Sequence, residues 1–233
     1  MPDIIQTTNL KRVPTEIPGF DELCEGGLLR ERTYLVSGIS GAGKTIFGLQ
    51  YLYNGITKYG DLKALEDEGK LAMIDARHIK SGGSSNKRPV DVESFDMRSV
   101  LDRILELQEK IAAKRVFVSG AASIGLSIDE PSNIRVEFLK LSKTLETVGL
   151  TSLITCETID DSTESRFGVE TFVTEGTILM AHKRIDRVRV RSIEIINMKG
   201  SNHSNTIHPY EITSSGIVVH PNDEVYSFTK KQG

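Results

Sequence analysis

The chain has 233 residues, 38% hydrophobic and 26% charged, an ordinary globular composition at a length that fits one large α/β domain or two small ones and is ample for a core. Its formal net charge of −3 excludes a general attraction to nucleic acid, so any such contact needs a local basic patch. No apolar run approaches the roughly 20 residues of a spanning helix, and MPDIIQTTNLKRVP has no apolar signal region, which leaves the cytoplasm as the expected location with no membrane partner.

In chain order, IPGFDELCEGG reads as a short helix from Phe20 to Glu25 that ends at Gly26-Gly27. TYLVSG, residues 33–38, is an apolar run closed by glycine and so a buried strand. GISGAGKT follows, then a helix with its apolar period on Ile46, Leu49, Gln50 and Tyr53, ending near Tyr59-Gly60. Residues 61–70 read as helix and LAMIDA, 71–76, as strand; 79–91 is polar, rich in Gly and Ser, and should be a mobile loop. Phe95–Ala113 has the spacing of an amphipathic helix, RVFVSG (115–120) is a strand, and 130–149 is a helix with Pro131 in its first turn and Gly149 past its end. TSLITCE (151–157) and TILMAH (177–182) are strands, 187–197 alternates, and 208–221 reads as a hairpin turning at Ser214–Gly216. The two cysteines, Cys24 and Cys156, match no metal-ligand spacing and read as reduced thiols of an intracellular protein. This order predicts a single α/β domain spanning residues 1–233, with a mostly parallel twisted sheet, flanking helices and a C-terminal antiparallel hairpin.

One spacing is unusual. A parallel unit needs a second strand after the first helix, yet helix-like DLKALEDEGK follows Gly60 directly. Either the protein has lost a strand or the sequence as read lacks a segment here; the second is favoured, because loss of a central strand would break the ladder.

Gly38-Ile39-Ser40-Gly41-Ala42-Gly43-Lys44-Thr45 is a complete G-x-x-x-x-G-K-[ST] match lying between a strand and a helix. Glycines let successive amides turn toward a β-phosphate, and the helix start adds its positive dipole end. Lys44 is the cation for the β- and γ-phosphates, and the Thr45 hydroxyl ligates magnesium. With Ile46 these residues are the expected binding site for ATP and Mg2+.

The surroundings of this loop resemble the KaiC/RecA-type P-loop ATPases, in particular small single-domain KaiC-like proteins. The likeness rests on Thr15–Leu23 with Gly26-Gly27, on the loop with Phe47–Gly55, on Ser165–Glu170, and on Met198–His203 followed by Pro209–Ile212 and Gly216–Val219. It implies a RecA-like fold, ATP hydrolysis between subunits, and a homo-oligomer such as a hexamer. It also implies roles in trans for the positions of Asn197 and Lys199, where the family has a lysine and an arginine. Lys199 keeps a cation without the bidentate fork. Ser119 stands where the family places a magnesium-organising aspartate, and the family's catalytic glutamate falls in the interrupted region after Gly60. The serine–threonine pair that KaiC phosphorylates in itself falls near Thr171-Phe172 and is not reproduced. Glu157, closing a strand near the expected γ-phosphate, either orders the attacking water or is a structural carboxylate. His203 lies in the C-terminal signature near an expected subunit interface.

Together these residues point to an ATPase with slow hydrolysis, its catalytic set Lys44, Lys199 and Glu157. A regulatory module that uses ATP as a structural switch comes second. A nucleic-acid motor is third and not favoured, because Lys80, Lys87 and Arg88 in the 79–91 loop have no aromatic among them to stack on bases. Arg187, Arg189 and Arg191 alternate with valines, placing three arginines on one strand face and the valines toward the core. That face is an anion surface for a neighbour's nucleotide or nucleic acid, or a solvated edge that resists aggregation.

Overall fold

The computed structural model describes residues 10–56, 62–74, 97–121, 131–159, 166, 168, 170–185, 187–223 and 225. The expected 79–91 loop lies outside them. Their centre is a seven-stranded sheet. β3 (Thr33–Gly38) is buried at every residue and lies between two parallel strands, β5 (Thr151–Glu157) and β6 (Gly176–Ile185). Outside β5 lies parallel β4 (Arg115–Val118). On the other side the sheet turns antiparallel through β7 (Val188–Met198), β8 (His208–Thr213) and β9 (Gly216–Val219). The α/β expectation holds, and the antiparallel part reaches inward beyond the terminal hairpin to the β6/β7 pair. A small separate ladder joins β1 (Arg12–Val13) to β2 (Leu28–Leu29).

The sheet order β4-β5-β3-β6 corrects the argument made at Gly60. The ladder is continuous without any strand between the first helix and β4, so a missing second strand breaks nothing central. β4 is instead the outermost described strand, and all four of its residues are only half-buried. The strand expected at LAMIDA is not found: Leu71–Ile74 is irregular, and 75–76 lies outside the described residues. It follows α2 (Leu62–Asp67).

Helix α1 (Lys44–Asn54) ends at Gly55, earlier than the Tyr59-Gly60 expected. Its buried face is also not the predicted one. Phe47, Gly48 and Tyr51 face inward, while Ile46 and Leu49 are 38% and 39% exposed. The inward stripe is chosen by fit: the Phe117 ring of β4 fills the space a side chain at position 48 would need. Phe47 meets Phe20 edge-on at 5.0 Å, and the Tyr51 hydroxyl donates to the Thr151 carbonyl at 3.0 Å. Arg115 closes the far end, stacking on Tyr51 and donating to the carbonyls of Tyr51 and Pro14 at 2.8 and 2.9 Å.

Residues 15–24 are packed between α1 and the C-terminal hairpin. The Asp21 carboxylate accepts from the Thr15 and Glu16 amides and the Thr15 hydroxyl, tying the preceding segment to a 3-10 turn, Asp21–Cys24, that stands in place of the expected Phe20–Glu25 helix. The Val219 amide donates to the Pro18 carbonyl at 2.8 Å. On the opposite face α3 (Met97–Ile111) and α4 (Pro131–Thr147) pack a second core through Ile104, Phe138, Leu141 and Leu145.

β9 ends the sheet, and α1 covers its open edge with one side chain. Gln50 accepts from the Ile217 amide at 2.7 Å and donates to its carbonyl at 3.1 Å, so an amide side chain imitates a neighbouring strand. Removing it in Gln50→Ala leaves two half-buried backbone groups without partners. The expected cost is about 1–3 kcal/mol, read as a lower urea midpoint with unchanged slope; an unchanged midpoint refutes this role.

Candidate phosphate-binding site

The loop between β3 and α1 is shaped by backbone that only glycine enters cheaply. Gly38, Gly41 and Gly43 have φ of 149°, 82° and 92°. Ile39 packs on the core, Ser40 and Gly41 are exposed, and Ala42 is buried, with its carbonyl accepting from the Tyr210 hydroxyl of β8. Gly43 caps α1 without a side chain, so the first-turn amides have no side-chain acceptor from the cap. Thr45 and Ile46 stand exposed on that first turn.

Lys44 is 8% exposed and folds back over the loop, donating to the carbonyls of Gly38 and Ile39, both at 2.8 Å. An ammonium has three N–H bonds. Two thus lock its position and one remains for a group in the cradle. Burial pulls its pKa down, and the charge of Glu157 opposes that. A buried cation held over unbonded helix-start amides is a fit for phosphate oxygens.

Glu157 is exposed at the end of β5, in register with Gly38, so the expected carboxylate does stand beside Lys44. The next residue, Thr158, donates its amide to the Gly38 carbonyl at 3.1 Å, and its own hydroxyl is buried without a partner. Behind Glu157, the buried Cys156 thiol donates to the Glu170 carboxylate at 3.1 Å, and burial pushes its pKa up to about 12, with Glu170 adding to the rise. Cys156 is therefore a thiol, not a thiolate. Ser119 follows β4 and is exposed; the Gly120 amide beside it donates to the Thr155 hydroxyl. Thr45 is then the one expected magnesium ligand from this chain in the loop, since the group at 119 is neutral, and no cluster of metal-ligating side chains occurs among the described residues.

Asn197 and Lys199 lie at the other end of the sheet. Met198 pairs with Gly176, which pairs with Tyr34, four residues before Gly38. That is roughly 13 Å along the strand at about 3.3 Å per residue. The Lys199 ammonium donates to the Thr174 carbonyl at 2.7 Å, just past the short helix α5 (Glu170–Val173). Asn197 faces Thr177 at a bulge, and the side-chain oxygens of both are buried without partners. His203 bonds the Ser204 carbonyl at 2.9 Å, away from the loop. Within one chain, therefore, the fold unites Lys44, Thr45 and Glu157 and keeps Lys199 apart.

Three contributors at the loop were not anticipated: Tyr210, Thr158 and the rung His182–Arg191. A Cβ on Gly41 would lie 3.9 Å from His182 Nδ1, and His182 is paired across the sheet with Arg191. Arg191 lies close enough to the Tyr210 hydroxyl to oppose the rise that burial gives its pKa. Tyr210 was legible only as part of the C-terminal signature.

A family model described as "ATPase: KaiC" matches residues 13–62 and 60–224. The two matched pieces meet at 60–62, where the sequence reading found its interruption. The circadian clock oscillator protein KaiC of Thermostichus vulcanus is 31% identical over 240 residues, covering 92% of this chain and 45% of that protein. The protein of the same description from Synechococcus elongatus is 32% identical over 237 residues, covering 91% and 44%. The chain thus spans less than half the length of these relatives. A crystal structure of a KaiC-like protein from Pyrococcus horikoshii superposes with a TM-score of 0.77 at 31% identity, covering 91% of this chain and all of that one. Matched by that family model along nearly its whole length, and similar in fold to a KaiC-like protein, this chain belongs to the KaiC family of RecA-type P-loop ATPases.

Proposed function

We infer that the protein binds ATP with Mg2+ on Gly38–Ile46 and hydrolyses it slowly, at a site completed by Lys199 of a second copy. The supporting observation is the separation of the two lysines: Lys44 is fixed over the loop, and Lys199 is tied down at the opposite end of the sheet. A cation placed there cannot reach the loop of its own chain, so its part in hydrolysis requires a neighbour's nucleotide and a homo-oligomer; a hexameric ring is the form the resemblance implies. Lys44 holds the triphosphate and Thr45 the metal, which when bound neutralises charge on the phosphates. Glu157, exposed beside Lys44, orients the attacking water. Ser119 cannot supply a carboxylate to the metal's water shell, which lowers the rate rather than the affinity.

Mixing two variants tests the shared site. Neither Lys44→Met nor Lys199→Ala alone should release phosphate at more than a tenth of the wild-type rate, a modest demand beside the 10³ to 10⁵ of a trans arginine. Co-assembled, they should recover part of it, since one supplies the loop and the other the distant lysine. No recovery in demonstrated mixed oligomers overturns the trans arrangement. Wild-type turnover above the order of 1 s⁻¹ overturns slow hydrolysis.

The neutral Ser119 also supports a second reading, in which ATP sets an assembly state and turnover is incidental. Gel filtration with and without ATP separates the two. An identical elution volume in both conditions removes the switch reading.

A further inference from the structure

The densest run of positive charge in the sequence lies on the part of β6 and β7 that no third described strand covers. β6 leaves β3 after Leu179, and β7 meets β8 only at Ser192 and Ile193. The rungs His182–Arg191, Lys183–Val190, Arg184–Arg189 and Ile185–Val188 continue outward as a two-stranded ribbon. Residues 182–191 contain Lys183, Arg184, Arg187, Arg189 and Arg191 against one acid, Asp186. This gives the ribbon +4, and since the whole chain is −3, the remainder holds −7. Lys183, Arg184, Arg187 and Arg189 are exposed. Arg184 and Arg189 stand directly opposite each other, a pairing that like charges disfavour. The expectation that the valines face the core is not met: Val188 is 63% exposed. The ribbon is therefore not a core element, and its sequence carries a net positive charge that a polyanion would complement.

We propose that this ribbon is a nucleic-acid-binding arm that grips the phosphate backbone of a duplex through Arg184, Arg187 and Arg189. Two features favour a duplex. A two-stranded ribbon fits the major groove of B-DNA. The ribbon has no Phe, Tyr or Trp on which unpaired bases would stack. Contacts of this kind position a duplex without reading its sequence.

The test is anisotropy of a labelled DNA duplex with the full-length protein, with and without ATP, over a salt series. Binding should be measurable at about 50 mM salt and should weaken with a log–log slope near −2.7, or −0.9 for each of three phosphate contacts. The double variant Arg184→Glu/Arg189→Glu should bind at least about 100-fold more weakly and lose roughly two units of that slope. Calorimetric ATP binding should stay unchanged, because neither residue belongs to the phosphate loop. Absence of binding by the wild type at about 50 mM salt, or equal binding by the double variant, overturns the proposal. Displacement by polyglutamate as effective as by unlabelled duplex also overturns it, assigning the ribbon to an acidic protein instead.

Discussion

Replacing Lys44 by methionine is expected to raise the dissociation constant for ATP by at least about 100-fold while leaving the apo protein at least as stable as the wild type. The loss corresponds to about 2.7 kcal/mol, within what charged hydrogen bonds to a triphosphate contribute. The retained stability follows from the state of Lys44 in the empty loop. Its ammonium is buried over two carbonyls, and burial lowers its pKa from 10.5. The unfolded chain therefore holds that proton more tightly than the folded one, and this group's contribution to stability rises with pH between the lowered folded value and 10.5. Methionine keeps the alkyl packing and removes both the charge and its pH slope. Wild-type protein in ATP at about 100 times its dissociation constant should gain about 2.7 kcal/mol of stability by mass action, and the variant at the same ATP concentration no more than about 0.4 kcal/mol. Thermal melts with and without ATP, at two pH values, check both halves. A variant that melts early without ATP shows Lys44 to be a structural strut. One that keeps the ATP-dependent rise shows that the triphosphate is held by other groups.

What the sequence revealed about this molecule divides by the range of the interactions. TYLVSG and TSLITCE were bounded correctly because both faces of those strands are buried, leaving a continuous apolar run. The phosphate loop was legible because its function constrains adjacent backbone: three left-handed glycines, a lysine and a hydroxyl in eight residues. α1 was recognised, but its end and its buried face were both misjudged. Two apolar stripes run along it, and the buried one was selected by the Phe117 ring, 69 positions away in sequence, against Gly48. Nothing within the helix encodes that choice. The same holds for Gln50, whose amide seals an edge strand formed by residue 217, and for Tyr210, which fastens the loop at Ala42 from a strand near the C-terminus. The alternation of arginine and valine was read as half core and half solvent, a rule that holds only where a third strand or a helix covers one face. Here the pair outruns its neighbours, so alternation survives without a core side.

The second large effect is on folding. Gly38→Ala is expected to destabilise the protein by about 3 kcal/mol or more, whereas Gly41→Ala, three residues on in the same loop, should cost only about 1–2 kcal/mol. Both residues have positive φ, 149° and 82°, so both alanines carry backbone strain. They differ in what surrounds the added methyl. At Gly41 the space is open, the nearest atom being His182 Nδ1 at 3.9 Å. At Gly38 the methyl falls closer than 3.0 Å to the Met180 carbonyl oxygen, a backbone atom of β6 that cannot rotate away. β3 would have to move off β6, and Gly38 also presents the carbonyl shared by the Lys44 ammonium and the Thr158 amide. Moving that one oxygen disturbs the strand pair, the cation and the start of the segment after β5 together. Urea melts of the two variants should show a clear gap in midpoint at equal slope. Midpoints that coincide would mean the sheet relaxes around the methyl, and the close passage of β6 would then not be what requires glycine at the end of β3.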